Sequence, residues 1–252
     1  MANKGKTLLS FGVEASLFRE EFSKLVAGKP HLSDLQHIFN FAVKNMAYFP
    51  NLALTEGATY RDYLARWVKN YEEAISKLPS RKTAQPKGSC SDPAVKTIVQ
   101  YVTGVTDEKA EEQNKHHNLF MSAENIQGGL LEEYIYKNVR EFGWIWCAGN
   151  TLHAVDFVAQ DGSRLLQIKN KSNTENSSSS AIRTNTPIEK WYRLGTKSVR
   201  GEKQPAYKWD ELNKIINAHK CSTTKVCAMS EDGYIAFLKS VASSNKKIIN
   251  DK

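Results

Sequence analysis

The chain has 252 residues, 40% hydrophobic and 10% aromatic, with a net charge of +8 and a pI near 9.2. That length supports one large domain or two small ones with a full core, and the positive balance favours a polyanionic partner. No apolar run nears twenty residues, Met1–Lys6 has no apolar stretch behind it, and Cys90, Cys147, Cys221 and Cys227 form neither a C-x-x-C pair nor a zinc-spaced Cys/His group, so a membrane span, a secretory signal and a zinc site are all excluded in favour of a cytoplasmic chain with reduced thiols.

In chain order, residues 10–78 read as helical. Ser33-Asp34-Leu35-Gln36 has the form of a capping box, with apolar positions at Leu35, Ile38, Phe39, Ala42, Val43 and Met46, and Tyr60 to Leu78 repeats the spacing. The composition shifts near residue 80, which divides a helical N-terminal region (1–80) from a second region (81–252). Pro79 to Pro93 reads as a loop, followed by a helix over 94–103, a charged segment from Asp107 to Lys115, and a helix over 124–140 on Leu131, Tyr134, Ile135 and Val139. Gly128 and Gly129 near the start of that helix allow a close backbone approach, such as that of a phosphate. A strand is expected near Trp144–Cys147. After Arg193 a basic loop is expected from Lys197 to Lys208, then a helix near Trp209–His219, a short strand over Lys225–Met229, a helix over Gly233–Ser240 and a polar tail. The fold class is α/β: a mixed β-sheet flanked by helices, with a helical N-terminal portion.

The most informative segment lies between. Leu152 to Gln160 and Ser163 to Lys169 are two β-prone runs joined by Asp161-Gly162, a hairpin signal. With those two residues as the loop, Asp156 lies opposite Gln167 on one face, about 5 Å away at the side-chain roots. Lys169 shares that face, while Val155, Phe157, Leu166 and Ile168 fill the other. An acid, an amide oxygen and an amine on one patch suit a metal-dependent phosphodiesterase. Mg²⁺ takes hard oxygen ligands; a lysine beside it orients or deprotonates the attacking water. The spacing is a form of the PD-(D/E)xK nuclease signature, with Gln167 where an acid is usual, which leaves the site one negative charge short. A hairpin with an incidental Asp and Lys is the alternative.

Lys169 runs into a polar stretch ending at Arg183, either a base- and phosphate-contacting loop or a Ser-rich linker. Thr186-Pro187-Ile188-Glu189 then has the form of a capping box with proline at the first helical position, opening a helix through Lys190-Trp191-Tyr192-Arg193. Lys169-Asn170-Lys171-Ser172-Asn173-Thr174-Glu175-Asn176-Ser177-Ser178-Ser179-Ser180-Ala181-Ile182-Arg183 with Ile188 to Arg193 resembles the SinI-type restriction endonucleases. Met121 to Tyr134 and Asp92 to Val99 are similar to the same family, so the resemblance covers roughly residues 90–195. It implies a type II restriction enzyme: a homodimer that cuts a short palindromic duplex site with Mg²⁺, family members reading sites of the GGWCC type.

The resemblance also implies a role for the Glu132-Glu133 pair, because in such nucleases a helix of this kind often adds a carboxylate to the metal. That would restore the charge missing at Gln167; the alternative is a solvated acidic pair. The expected metal set is Asp156, Gln167, the Ile168 carbonyl, Glu132 and Glu133, with Asp156, Gln167, Lys169 and Glu132 as the catalytic group. The expected DNA contacts are Asn170, Lys171, Asn173, Asn176, Ser177, Ser178, Ser179, Ser180, Arg183 and Arg193, arginine suiting guanine and asparagine adenine. Lys197, Arg200, Lys203 and Lys208 either track phosphates or form a solvated loop. His116-His117-Asn118 lacks the second histidine of a His-Asn-His nuclease, and no nucleophile elbow surrounds Ser177–Ser180. No dinucleotide fingerprint or Gly-rich phosphate loop occurs, so no small-molecule cofactor is expected. A junction or repair nuclease and a DNA-binding module with a dead site are the competing functions.

Overall fold

Apolar residues at helical spacing bury one stripe each of three N-terminal helices, α1 (Ala15–Val26), α2 (Ser33–Lys44) and α3 (Tyr60–Ser76). In this computed structural model, residues 5–83, 92–171, 187–221 and 223–249 are described. The three stripes meet in an aromatic cluster: Phe22 stacks on Phe39 at 3.9 Å between ring centroids, and Trp67 packs against Phe22, Phe39 and Phe49. A capping box does form, at Thr59 and Asp62 before α3. The one expected at Ser33 does not, because a 3-10 turn over Pro30–Leu32 runs straight into α2 and makes Ser33 its first helical residue.

Next come α4 (Pro93–Thr103) and α5 (Asp107–Val139). The charged segment and the Glu132 helix are thus one 33-residue helix. Gly128 and Gly129 lie inside it, and Gly129 serves packing: a Cβ there would meet Pro79 at 3.2 Å. The sheet follows, with strands β1 (Trp144–Trp146), β2 (Phe157–Ala159), β3 (Leu165–Lys171), β4 (Ile188–Val199) and β5 (Glu202–Tyr207) in the order β1-β2-β3-β4-β5. The β3–β4 pair is parallel and the others antiparallel, so the sheet is mixed as expected. Helices α6 (Trp209–Ala218) and α7 (Glu231–Ser244) complete the described fold.

Four local expectations are corrected. The segment after Pro187 is strand β4, not a helix. Trp191 and Arg193 are buried while Lys190 and Tyr192 are only half-buried, a two-residue period, and Trp191 sits beside Ile168 in the parallel register. Ladder bonds to β3 override the local capping signal. The basic stretch Lys197–Lys208 is mostly a hairpin, turned at Arg200 (φ 53°) and Gly201 (φ 85°), two left-handed residues as a type I′ turn requires. Residues 225–229 form no strand. The side-chain amides of Asn213 and Asn217 on α6 replace a ladder there, accepting from Met229 N and Cys227 N and donating to the carbonyls of the same two residues. The polar tail is partly anchored, because α7 runs to Ser244 and Ile248 is buried against Leu130 and Val241.

One continuous core joins both sides of residue 80, from Leu8 and Trp67 to Leu131, Phe157 and Trp191. The N-terminal helices also grip the segment between β1 and β2. Trp67 Nε1 donates to Thr151 O at 2.9 Å, and His153 N donates to Tyr48 O at 2.7 Å. Trp144 Nε1, equally buried, has no partner among the described residues. Trp67→Phe strands the fully buried Thr151 carbonyl, whereas Trp144→Phe removes an N–H that bonds to nothing. Urea unfolding should therefore show Trp67→Phe costing about 1–3 kcal/mol more than Trp144→Phe; equal losses would mean that the Thr151 bond contributes nothing.

Candidate active site

The expected hairpin register is present: Phe157 pairs with Leu166 and Val158 with Leu165, which continued by one step places Asp156 opposite Gln167. The turn differs in detail. Gly162 N donates to Ala159 O and Gly162 alone takes positive φ (74°), so the connection is longer than the two-residue loop expected of Asp161-Gly162. Strand β2 begins only at Phe157, and at Asp156 the pairing changes character. Asp156 N donates to Leu166 O at 2.9 Å, and Ile168 N donates to Asp156 Oδ2 at 2.6 Å. A carboxylate thus replaces a ladder carbonyl at the point where the two strands part. A strand residue's N–H and C=O lie on the same edge, so the Ile168 carbonyl is on the β2 side of β3, the side of the Asp156 bond.

Glu132 reaches this opening from α5, held by Trp146 Nε1 donating to its Oε2 at 3.0 Å. Glu132, Asp156 and Gln167 line one cavity of about 250 Å³, closed by Cys147, Leu152 and Val155 and by the backbone from Gly149 to Ala154. That stretch is tightly built. Ala154 takes a left-handed φ of 59°, uncommon for alanine, and Gly149 (φ 69°) lies so close to α3 that a Cβ there would sit 2.6 Å from Asn70 O. Gln167 is buried at 6% exposure, which is how an uncharged amide can occupy a position where most such sites carry an acid. Lys169, two residues on and half-buried, is on the Gln167 face of β3.

The electrostatics follow from this crowding. Burial, then the nearby Asp156 charge, push the Glu132 carboxyl up to about 8, against the Trp146 N–H and the Lys169 and Lys82 ammoniums, which pull it down. Lys82 is a contributor with no local signal to single it out, since it lies in the stretch that reads as a plain loop. The donor set fits a hard divalent cation: two carboxylates, a buried amide and a backbone carbonyl, with one carboxylate held above its ordinary range in the absence of positive charge. Among the described residues no group of three or more His, Cys, Asp or Glu is placed to hold a metal ion by itself, in keeping with glutamine at position 167.

Other expected site residues fall elsewhere. Glu133, adjacent to Glu132, is fully buried with its carboxylate taken by Ser80 N and Ser80 Oγ, both at 2.7 Å, and by Lys137 at 2.7 Å. It pins the 3-10 turn at Pro79–Arg81 to α5 and is not part of the cavity. Asn170 and Arg193, expected to contact DNA, face inward. Asn170 donates to Gln127 Oε1 at 2.6 Å and accepts from Arg193 Nε at 2.8 Å. Arg193 is 6% exposed, pairs with Glu231, and lies 5.2 Å from the Tyr234 ring centroid. Both side chains tie α5, β3, β4 and α7 together in this structure. Lys171 bridges to Glu124 at 3.2 Å on the surface. Asn173, Asn176, Ser177, Ser178, Ser179, Ser180 and Arg183 lie outside the described residues. Cys147, Cys221 and Cys227 are free thiols, and His116 and His117 are exposed.

The raised Glu132 pKa has a stability consequence. Between about 4.5 and about 8 the folded metal-free chain holds a proton that the unfolded chain has released, so stability falls as pH rises through that window. Glu132→Gln removes this dependence. Metal-free, the variant should match wild type near pH 5 and exceed it by a few kcal/mol, to order of magnitude, above pH 8. Added divalent cation should raise the wild-type melting temperature at the higher pH more than that of the variant. A stability difference that did not change with pH would contradict this account of Glu132.

Similarity to known proteins agrees with the geometry. The family model described as SinI restriction endonuclease matches residues 65–243, which covers α5, the whole sheet and most of α7. The type II restriction enzyme SinI of Salmonella infantis is 32% identical over 246 residues, covering 90% of this chain and 96% of that protein. The type II restriction enzyme Eco47I of Escherichia coli is 33% identical over 227 residues, covering 86% and 90%. Identity at that level over nearly the full length of both proteins, with an acid, an amide and a lysine gathered at a strand edge, has one reading: the chain belongs to the SinI restriction endonuclease family and is a type II restriction endonuclease.

Proposed function

We propose that the cavity between α5 and the β2–β3 hairpin is a Mg²⁺-dependent phosphodiesterase site that cuts duplex DNA at a short palindromic sequence of the GGWCC type, in a cytoplasmic homodimer. Restriction endonucleases generally use a divalent metal, and no helix of the described chain is long and apolar enough to cross a membrane. The observation that carries the reading is that Glu132 and Asp156 line one cavity together with Gln167, with the Lys169 charge felt at Glu132.

Asp156 and Glu132 would hold the ion, with the Gln167 amide oxygen and the Ile168 carbonyl completing the protein's donors. When bound, a divalent cation neutralises phosphoryl charge and makes a bound water more acidic. Lys169 orients the attacking water or accepts its proton and offsets charge on the phosphate as it develops. Water attacks phosphorus in line, the bond from phosphorus to the 3′ oxygen breaks, and the products are a 5′-phosphate and a 3′-hydroxyl. Asp156 is oriented by the Ile168 N–H and lines the cavity. The second carboxylate from α5 supplies the charge that Gln167 lacks, and this argues against a DNA-binding module with a dead site. The polar residues from Asn173 to Arg183, together with Lys171, remain the best candidates for base and phosphate contact.

The test is digestion of a plasmid of known sequence with Mg²⁺, with the ends mapped. Wild type should give discrete ends at one short sequence. Asp156→Ala and Lys169→Ala should each reduce cleavage by about 10²–10⁴-fold while duplex binding is largely kept. Undiminished wild-type cleavage in EDTA would refute the metal assignment, and cleavage at branched but not linear DNA would favour a junction nuclease.

A further inference from the structure

Helix α4 is built inside out. Its polar residues face its own chain: Lys96 Nζ pairs with Asp107 at 2.9 Å and Glu111 at 3.5 Å, and Gln100 Nε2 donates to Asp107 at 3.0 Å. Most of its apolar residues face solvent, with Val95 57%, Ile98 63%, Tyr101 87% and Val102 79% exposed against a half-buried Val99, and no residue of the 11-residue helix is buried. A helix this short is marginal alone in water and depends on burying its apolar stripe. We infer that this stripe is the interface through which the chain dimerises, α4 of one copy packing against α4 of the second in a helix–helix seam.

Three observations select the occupant. Val95, Ile98 and Val102 follow the 3-then-4 spacing of a coiled-coil seam, which fits another helix. DNA is a poor fit. Lys96 is engaged in ion pairs, and the adjoining start of α5 carries Asp107, Glu108, Glu111 and Glu112 against Lys109 and Lys115, an acidic surface that would repel phosphates. Nor can the chain cover the stripe itself, because outside the described residues its sequence holds only Met1 and Ile182 as large apolar side chains. The choice of a second copy rests on the proposed function, since cutting both strands of a palindrome needs two such sites related by a two-fold axis.

Sedimentation equilibrium of the full chain, free of metal and DNA, tests this. Wild type should have about twice the 28.4 kDa chain mass at micromolar concentration. Val95→Ala/Ile98→Ala/Val102→Ala, which keeps good helix formers in place, should weaken dimerisation at least about 100-fold with an unchanged circular dichroism spectrum. Ile98→Cys should cross-link two chains with a short bismaleimide well beyond the wild-type thiols. Wild type that stays monomeric, a triple variant that dimerises like wild type, or no extra cross-linking at position 98 would overturn the assignment. The two readings fail separately. A dimer lost in the triple variant but with no nuclease activity in wild type sinks the proposed function and spares the interface; site-specific cleavage by a wild type whose dimer survives the triple substitution sinks the interface and spares the proposed function.

Discussion

The Asp156 carboxylate does two jobs at one point in the sheet, and the site depends on their being inseparable. By accepting the Ile168 N–H at 2.6 Å it closes the β2–β3 ladder where main-chain pairing stops. That bond fixes the side chain's direction at the mouth of the cavity that Asp156 lines. A ladder that simply continued would bury Asp156 against backbone, and one that ended earlier would leave it unoriented. The strand edge is thus opened by a residue that also lines the opening, so backbone geometry and side-chain geometry are set together.

Around that point the fold supplies support from three directions. Helix α5 brings Glu132, which Trp146 steadies by one hydrogen bond. The N-terminal helices hold the segment between β1 and β2 through Trp67, through the Tyr48 carbonyl, and through the close approach of Gly149 to Asn70. On the far face of β3, Asn170 and Arg193 link Gln127 to Glu231, whose second oxygen accepts from Trp209 Nε1 at 2.8 Å. The polar residues next to the candidate lysine therefore divide by face: Gln167 lines the cavity and Lys169 shares its face of β3, while Asn170 serves the packing. A charge-assisted buried network of this kind keeps β3 in register with both neighbours, which a site built on one strand requires.

What could be read from the sequence was what depends on local period and turn chemistry. The alternation from Phe157 through Lys169 about Asp161-Gly162 carried the hairpin and its register, though Val155, expected on the opposite face, lines the cavity beside Asp156 and Gln167 because regular pairing stops at Phe157. Helical spacing placed Glu132 beside the buried Leu131–Ile135 stripe. What could not be read depends on distant partners. Thr186 to Glu189 carries a genuine helix-start pattern, yet Ile188 to Arg193 pairs in parallel with β3, an interaction invisible to any local window. Glu132 and Glu133 are equivalent in sequence; only Ser80 and Lys137, closing on Glu133, separate it from the acid that lines the cavity. Arg193 looked like a base reader because arginine often is, and its burial against Glu231 and Tyr234 comes from the tertiary fold alone.

The central claim is that Asp156 and Glu132, not Glu133, together hold a divalent ion beside Lys169. Crystals of the chain grown with Mn²⁺, measured for anomalous scattering, test it most directly. The account requires an anomalous peak within coordination distance of both carboxylates and of the Gln167 amide oxygen or the Ile168 carbonyl. A peak at Glu133, or one bound by neither Asp156 nor Glu132, would contradict it.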